Sequence, residues 1–261
     1  MSDSCQPPRL KPAFIIIGAQ RAGTTSLYSY LTAHPLIAPA ATKEVHFFDV
    51  HYGRGTDWYW EQFPVASEAG MITGEASPYY LFHPLVPERI AALLPEVKLI
   101  VLLRNPIDRA LSHHQHESRR GKEVRPFTDA VAVQTERLRS EAERIAREPG
   151  YRSTVHQWHS YRCRGRYLEQ IEQWLPHFPR RNFLPLLSER FYADPSTSLR
   201  QVTDFLQLPP MPPKRIVNYE KHNRASYPGM PSAVRQELAE YYRPHNSRLA
   251  TFLGEDPGWD S

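Results

Sequence analysis

Ala13-Phe-Ile-Ile-Ile17-Gly18-Ala-Gln20-Arg21-Ala22-Gly23-Thr24-Thr25-Ser26 is the stretch that decides the fold. The apolar run 13–17, set between Pro12 and Gly18, predicts a short strand buried on both faces, as in a parallel sheet. From Thr24 to Ala33 the pattern turns helical, with Leu27, Tyr28 and Leu31 apolar and His34-Pro35 as the stop. A loop that ends at a helix N-terminus aims unpaired backbone N–H groups and the positive end of the helix dipole at one spot. Gly18 and Gly23 permit the turn and close backbone approach, and Thr24 and Thr25 add hydroxyl donors. The loop therefore reads as a cradle for a phosphate-like anion. Its Gly-x4-Gly spacing is that of the nucleoside-triphosphate P-loop, yet Thr24 stands where that motif needs Lys. The loop's cation is Arg21 instead. The clamp that a P-loop kinase or NTPase places beside Mg²⁺ is incomplete, and such an enzyme is the first alternative.

A second unit repeats the plan. Residues 87–94 predict a helix with Pro at its first turn and Pro95 as its stop. Lys98–Leu103 predicts a second buried strand, and Asn105-Pro106 opens a helix through about Arg120. A helix crossing between two apolar strands argues for a parallel sheet. Arg104 then falls at the carboxyl end of a strand, where ligands of open α/β sheets bind. Its guanidinium fork suits phosphate oxygens. Ser112 follows two helical turns later, within reach of the same ligand. Two anion sites on one sheet suit a nucleotide with phosphates at both ends of its ribose.

Further along, 127–147 and 153–175 predict two amphipathic helices. Asn182–Leu187 predicts a strand that Pro185 confines to an edge. Pro195–Leu206 predicts a helix, and Pro231–Leu253 a helix broken near Pro244. With no repeat and no long linker, this is one α/β domain: a central parallel sheet flanked by helices around a P-loop-like nucleotide-binding core.

Composition narrows the partners. The 261 residues carry a net charge of +4, with 25 prolines against 12 glycines. Arginine dominates the cations, and mild basicity suits an anionic ligand. No Lys/Arg stripe interleaved with aromatics points to nucleic acid. No apolar stretch approaches the roughly 20 residues that span a bilayer. The N-terminus lacks the features of a secretory signal, and two cysteines make no disulfide scaffold. A cytoplasmic setting is the expectation. His113, His114 and His116 crowd one helix, but only His113 and His116 share a face, so no metal is expected.

Four stretches together resemble the sulfotransferases that use 3′-phosphoadenosine 5′-phosphosulfate (PAPS), in the heparan-sulfate-type branch and its bacterial relatives. They are residues 16–26; Lys43-Glu44-Val-His46-Phe-Phe-Asp49; Leu102-Leu-Arg104-Asn-Pro-Ile-Asp-Arg-Ala-Leu-Ser112; and the tail from Tyr227-Pro-Gly-Met to Tyr241-Tyr-Arg-Pro-His-Asn246. The resemblance implies a sulfotransferase domain over 13–254, with a flexible segment 1–12 and a tail 255–261. It implies that Gln20, Arg21, Ala22, Gly23, Thr24, Thr25 and Ser26 hold the 5′-phosphosulfate side of the donor. Arg104 and Ser112 would take the 3′-phosphate, under a basic loop that brings Arg224 and Tyr227. Glu44 falls in the family's base position, with His46 to orient it or the acceptor, and Arg21 would stabilise charge on the leaving group. The acceptor implied is a hydroxyl of a carbohydrate or small molecule, and no metal is needed. Two positions depart from the family pattern. Arg21 stands where Lys is common. Ala76, in Gly74-Glu75-Ala76-Ser77-Pro78-Tyr79, stands where heparan-sulfate enzymes tend to carry Lys. That loss makes a catalytically inactive sulfotransferase-like binding module the second alternative.

Overall fold

The computed structural model describes residues 9–148, 150–211 and 230–259. Five strands form one sheet, β1 (Pro12–Gly18), β2 (Ile37–Pro39), β3 (Ile72–Ala76), β4 (Lys98–Leu103) and β5 (Phe183–Leu187), in the order β2-β3-β1-β4-β5. Every pairing is parallel, with Ile15 beside Glu75 on one side and beside Leu99 on the other. The apolar runs of β1 and β4 are buried on both faces because helices cover both sides of the sheet. Pro185 sits on β5, an edge strand, as a proline in a sheet requires.

The helices are α1 (Thr24–Leu31), α2 (Thr56–Trp60), α3 (Val86–Leu93), α4 (Pro106–Arg119), α5 (Phe127–Ala132), α6 (Gln134–Arg137), α7 (Glu141–Arg147), α8 (Thr154–Trp158), α9 (Tyr167–Glu172), α10 (Ser188–Ala193), α11 (Pro195–Phe205) and α12 (Ser232–Leu253). The main core gathers β1, β4 and β5 with Leu27, Tyr59, Trp174 and Phe191. A smaller cluster under α4 and α12 holds Ile107, Phe127, Tyr161 and Tyr242.

Three expectations are corrected. The helix expected over 127–147 is three short ones, parted at Val133 and at Ser140, which takes a left-handed φ of +65°. That over 153–175 is α8 and α9, separated by a turn and a 3₁₀ segment at Cys163–Gly165. The break expected near Pro244 does not occur: α12 runs through it. Pro244 removes one intrahelical bond, at a typical cost of about 3 kcal/mol. Burial of Leu238, Tyr242, Asn246 and Leu249 along one face opposes that cost. The flanking segments also touch the body. Arg9 bridges Val65 and donates to the Phe63 carbonyl at 2.7 Å, while Trp259 packs against Tyr167 and Arg190 pairs with Glu255.

Candidate active site

The loop after β1 lies where the strand order reverses, with β3 on one side and β4 on the other, the usual ligand crevice of an open α/β sheet. Gly23 closes it at φ +103° and leads into α1, whose first turn has no side-chain cap and no acidic residue. Its leading N–H groups are thus left to a ligand or to solvent. A Cβ on Gly23 would come within 2.5 Å of the Tyr192 hydroxyl, so both conformation and space demand glycine. Gly18 has a different role from the expected backbone approach. It ends β1, and its missing side chain makes room for Leu81, whose Cβ would lie 2.6 Å from an added Cβ. The loop is pinned from two sides. Ser188 Oγ donates to the Ala22 carbonyl at 2.6 Å, and the buried Arg164 donates to Gln20 Oε1.

The second site does not repeat the first at the backbone level. Asn105 caps α4, its Oδ1 accepting from the N–H groups of Ile107 and Asp108, so that helix end is already satisfied. What remains for an anion are side chains. Arg104 Nη1 donates to the Arg21 carbonyl at 3.0 Å, and Arg21 Nε donates to Ser112 Oγ at 3.1 Å. Arg21 therefore joins the loop to Ser112. Asp108, the nearest candidate partner for Arg104 in the sequence, pairs with Arg235 at 2.5 Å instead.

Glu44, His46 and Asp49 form a line of acid, imidazole and acid. Glu44 Oε2 lies 2.9 Å from His46 Nε2, and Asp49 Oδ2 lies 2.8 Å from Nδ1; Lys43 Nζ lies 3.1 Å from the other Glu44 oxygen. Both Glu44 and His46 have left-handed backbones, at φ +54° and +53°. Burial disfavours ionisation of Glu44, but the hydrogen bond and charge of His46, with Lys43, outweigh it and hold the acid at about 2. Burial likewise opposes the charged form of His46, and the bonds to Asp49 and Glu44 outweigh that, raising it to about 10. Asp49, buried and paired with the ring, was quoted in the sequence motif without a role. Its signal was the i, i+3 spacing from His46.

A cleft of about 1080 Å³ unites these groups. Gln20 through Ser26, Glu44, His46, Arg104 and Ser112 all line it. Arg224 and Tyr227 lie outside the described residues. Sequence reasoning missed Ser188, Glu189 and Tyr192 after β5 and Gln157 on α8, and gave no site role to Arg119, Arg120 and Lys122 at the end of α4. The aromatics near Trp158 are candidates in the sequence for an acceptor lining, and Trp158 lines the cleft. Lys122 Nζ stands 3.3 Å over the Trp158 ring. His116 also lines the cleft, held down to about 4 by burial and by Arg21, Arg120 and Arg119. His113 is fully buried beneath it on the same face, the Nε2 atoms of the two rings lying 3.8 and 3.9 Å from Glu117 Oε1, whereas His114 Nε2 meets the Arg125 carbonyl at 2.8 Å. Among the described residues, no group of three or more His, Cys, Asp or Glu could hold a metal ion, and no helix is long and apolar enough to cross a membrane.

A parallel sheet of this order, with a glycine-bounded anion loop after its central strand and an arginine at the next strand end, defines a P-loop-like α/β protein. The Sulfotransferase domain profile matches residues 11–228, and the chain belongs to that family of sulfate-transferring enzymes. It is 30% identical over 276 residues to mouse heparan sulfate glucosamine 3-O-sulfotransferase 6, an alignment covering 95% of this chain and 74% of the relative. It is 32% identical to the mouse 3-O-sulfotransferase 3A1, covering 95% and 64%. A crystal structure of a sulfotransferase from Alicyclobacillus acidocaldarius superposes with a TM-score of 0.77 at 29% identity, covering 96% of this chain and 99% of that one.

Proposed function

We propose that the chain moves a sulfuryl group from PAPS to a hydroxyl of a carbohydrate or small-molecule acceptor, with Glu44 as the general base. The observation that carries this reading is one cleft holding both the uncapped loop at Gly23–Ser26 and the Glu44–His46 pair, with Asp49 buried behind the imidazole. The residues present fit such a donor. Arg104 and Ser112 supply a guanidinium and a hydroxyl for a 3′-phosphate, and the open first turn of α1 supplies N–H groups for the 5′ side. Bound there, the donor supplies the sulfuryl group and a phosphate leaving group. Arg21, Thr24 and Thr25 stabilise the charge that builds on that phosphate.

Glu44 accepts the proton of the attacking hydroxyl. Held at about 2, it is ionised across the physiological range, so its protonation state does not limit transfer; so weak a base contributes through its position against the attacking hydroxyl. A protonated His46 keeps it so and fixes the direction of its free lone pairs. The kcat/KM profile is then flat through neutral pH, with no limb near the ordinary histidine value of about 6.5. The relatives' names support a carbohydrate hydroxyl as acceptor. With Ala76 contributing no charge, Arg119, Arg120 and Lys122 would supply the cations for an acidic one.

The test is transfer from ³⁵S-labelled PAPS to a panel of acceptors that includes heparan oligosaccharides lacking 3-O-sulfate, phenols and aliphatic alcohols. Label moves to at least one class with the wild type. Glu44→Gln lowers transfer by about three orders of magnitude, consistent with loss of a positioned base and its ion pair, and leaves the affinity for 3′-phosphoadenosine 5′-phosphate (PAP) within about twofold. Near-normal turnover by Glu44→Gln removes the base assignment. Thermal stabilisation by ATP with Mg²⁺ but not by PAP returns the chain to the kinase reading.

A further inference from the structure

We propose that Glu75 is a positioning residue for the transfer site: through the hydroxyls of Ser77 and Tyr80 it fixes the backbone of the His46–Asp49 turn, and with it the alignment of Glu44, His46 and Asp49. The inference rests on the reading of Glu44 as base, but the residues concerned are not those that line the cleft.

Glu75 lies in the middle of the sheet, on β3, and is 1% exposed. Its carboxylate is met by hydroxyls: Tyr59 at 2.8 Å and Tyr80 at 3.3 Å on Oε1, and Ser77 at 2.8 Å on Oε2. Burial without an adjacent cation pushes its acid up to about 7. An apolar side chain here would strand three buried hydroxyl donors, so the carboxylate is the acceptor on which this group of hydroxyls depends. Two of the three hydroxyls lead out to the site. Ser77 Oγ accepts from the His46 N–H at 3.1 Å, and the Tyr80 hydroxyl accepts from the Phe48 N–H at 3.3 Å. A hydroxyl has one proton, and each of these spends it on Glu75, leaving its lone pairs for the backbone.

Those two N–H groups open the turn at Phe47–His51, a single π-helical turn with His46 in the capping position, whose own side chain makes no cap bond. His46 holds a left-handed φ, a conformation that persists only where the surroundings over-determine it. The bonds from Ser77 and Tyr80 provide that constraint. The imidazole they aim is flanked by Glu44 on Nε2 and Asp49 on Nδ1, with the Tyr80 ring edge-on at 6.5 Å, and it feels the charges of Glu75 and, more weakly, His51. Gln at 75 turns an NH₂ donor toward one side of the converging hydroxyls, so at least one of them loses the acceptor for its own proton and must reorient.

The experiment follows the ring ¹⁵N shifts of His46 in the full chain, labelled on histidine, across pH 5–11 at about one-unit steps, with the signal identified by its loss in His46→Asn. In the wild type His46 titrates near 10. Ser77→Ala, Tyr80→Phe and Glu75→Gln each lower that midpoint by about one pH unit or more, a roughly tenfold loss of proton affinity. Tyr59→Phe cuts a hydrogen bond to the same carboxylate but no link to the turn, and leaves the midpoint within about 0.3 unit. Should Ser77→Ala not fold, Tyr80→Phe keeps its ring packing and decides alone. Unchanged His46 titration in the folded relay variants overturns the proposal. The readout requires no acceptor and no turnover. An unmoved His46 beside an inactive Glu44→Gln therefore rejects the positioning role only, whereas a fully active Glu44→Gln rejects the base.

Discussion

At the scale of single residues, the site is a set of side chains whose charges are fixed by one another. His46 is the centre, because its two nitrogens bind two carboxylates. The histidine is raised from 6.5 to about 10, so its ion pairs stabilise the folded chain fully below about 6.5 and lose that contribution as pH rises through 10. Glu44 is lowered from 4.5 to about 2, so its share is present above about 4.5 and is lost only as pH falls through 2. The gap in melting temperature between wild type and His46→Asn should therefore be widest near pH 6 and close steadily toward pH 10. A gap that stays constant over that range contradicts the ion-paired state. Glu44 and His46 were legible in the sequence because the Lys43–Asp49 motif marks them. Asp49 stood in that same motif, where only its i, i+3 spacing from His46 pointed to the ring it faces.

At the scale of elements, what could be read depended on how apolar each element is. β1 and β4 stand out because both faces are buried and their central runs, Phe14–Ile17 and Leu99–Leu103, are wholly hydrophobic. β3 is as buried as either and was not found. Thr73 and Glu75 are hidden by hydrogen bonds rather than by hydrophobicity, Thr73 Oγ1 donating to the Ala38 carbonyl at 2.7 Å. β2 has three residues, one of them Pro39, too few to show a period. The loop between β1 and α1 was found because glycine marks it, and Gly23 offers the sharpest test of that element. Alanine there must adopt φ +103° and also displace the Tyr192 hydroxyl. Left-handed strain alone costs about 1–3 kcal/mol. Gly23→Ala should melt several degrees lower and bind PAP at least about tenfold more weakly, because the first turn of α1 shifts with it. Adding Tyr192→Phe removes the clashing oxygen but not the φ requirement, so affinity recovers only in part. Wild-type melting and PAP binding in Gly23→Ala would mean that the loop is neither strained nor used.

Across the whole molecule, the sheet order places three strand ends around one crevice: the loop after β1, Arg104 after β4 and Ser188–Ala193 after β5. Arg104 and Arg21 already tie the first two together through the Arg21 carbonyl, and Ser188 ties the third to the loop through Ala22. A ligand that reaches both Arg104 and the turn of α1 should act on stability as a cross-link between separate parts of the sheet. At a hundred times its dissociation constant a ligand adds about 2.7 kcal/mol. For a domain of this size each kcal/mol raises the midpoint by about 2–4 °C. Saturating PAP should thus raise melting by roughly 5–11 °C. Adenosine 5′-phosphate at the same concentration, lacking the phosphate assigned to Arg104 and Ser112, should raise it much less. In Arg104→Ala the two nucleotides should become nearly equal, because the difference between them is the contact that substitution removes. Equal shifts by both nucleotides in the wild type would leave Arg104 without a phosphate to bind and reduce the crevice to its first loop.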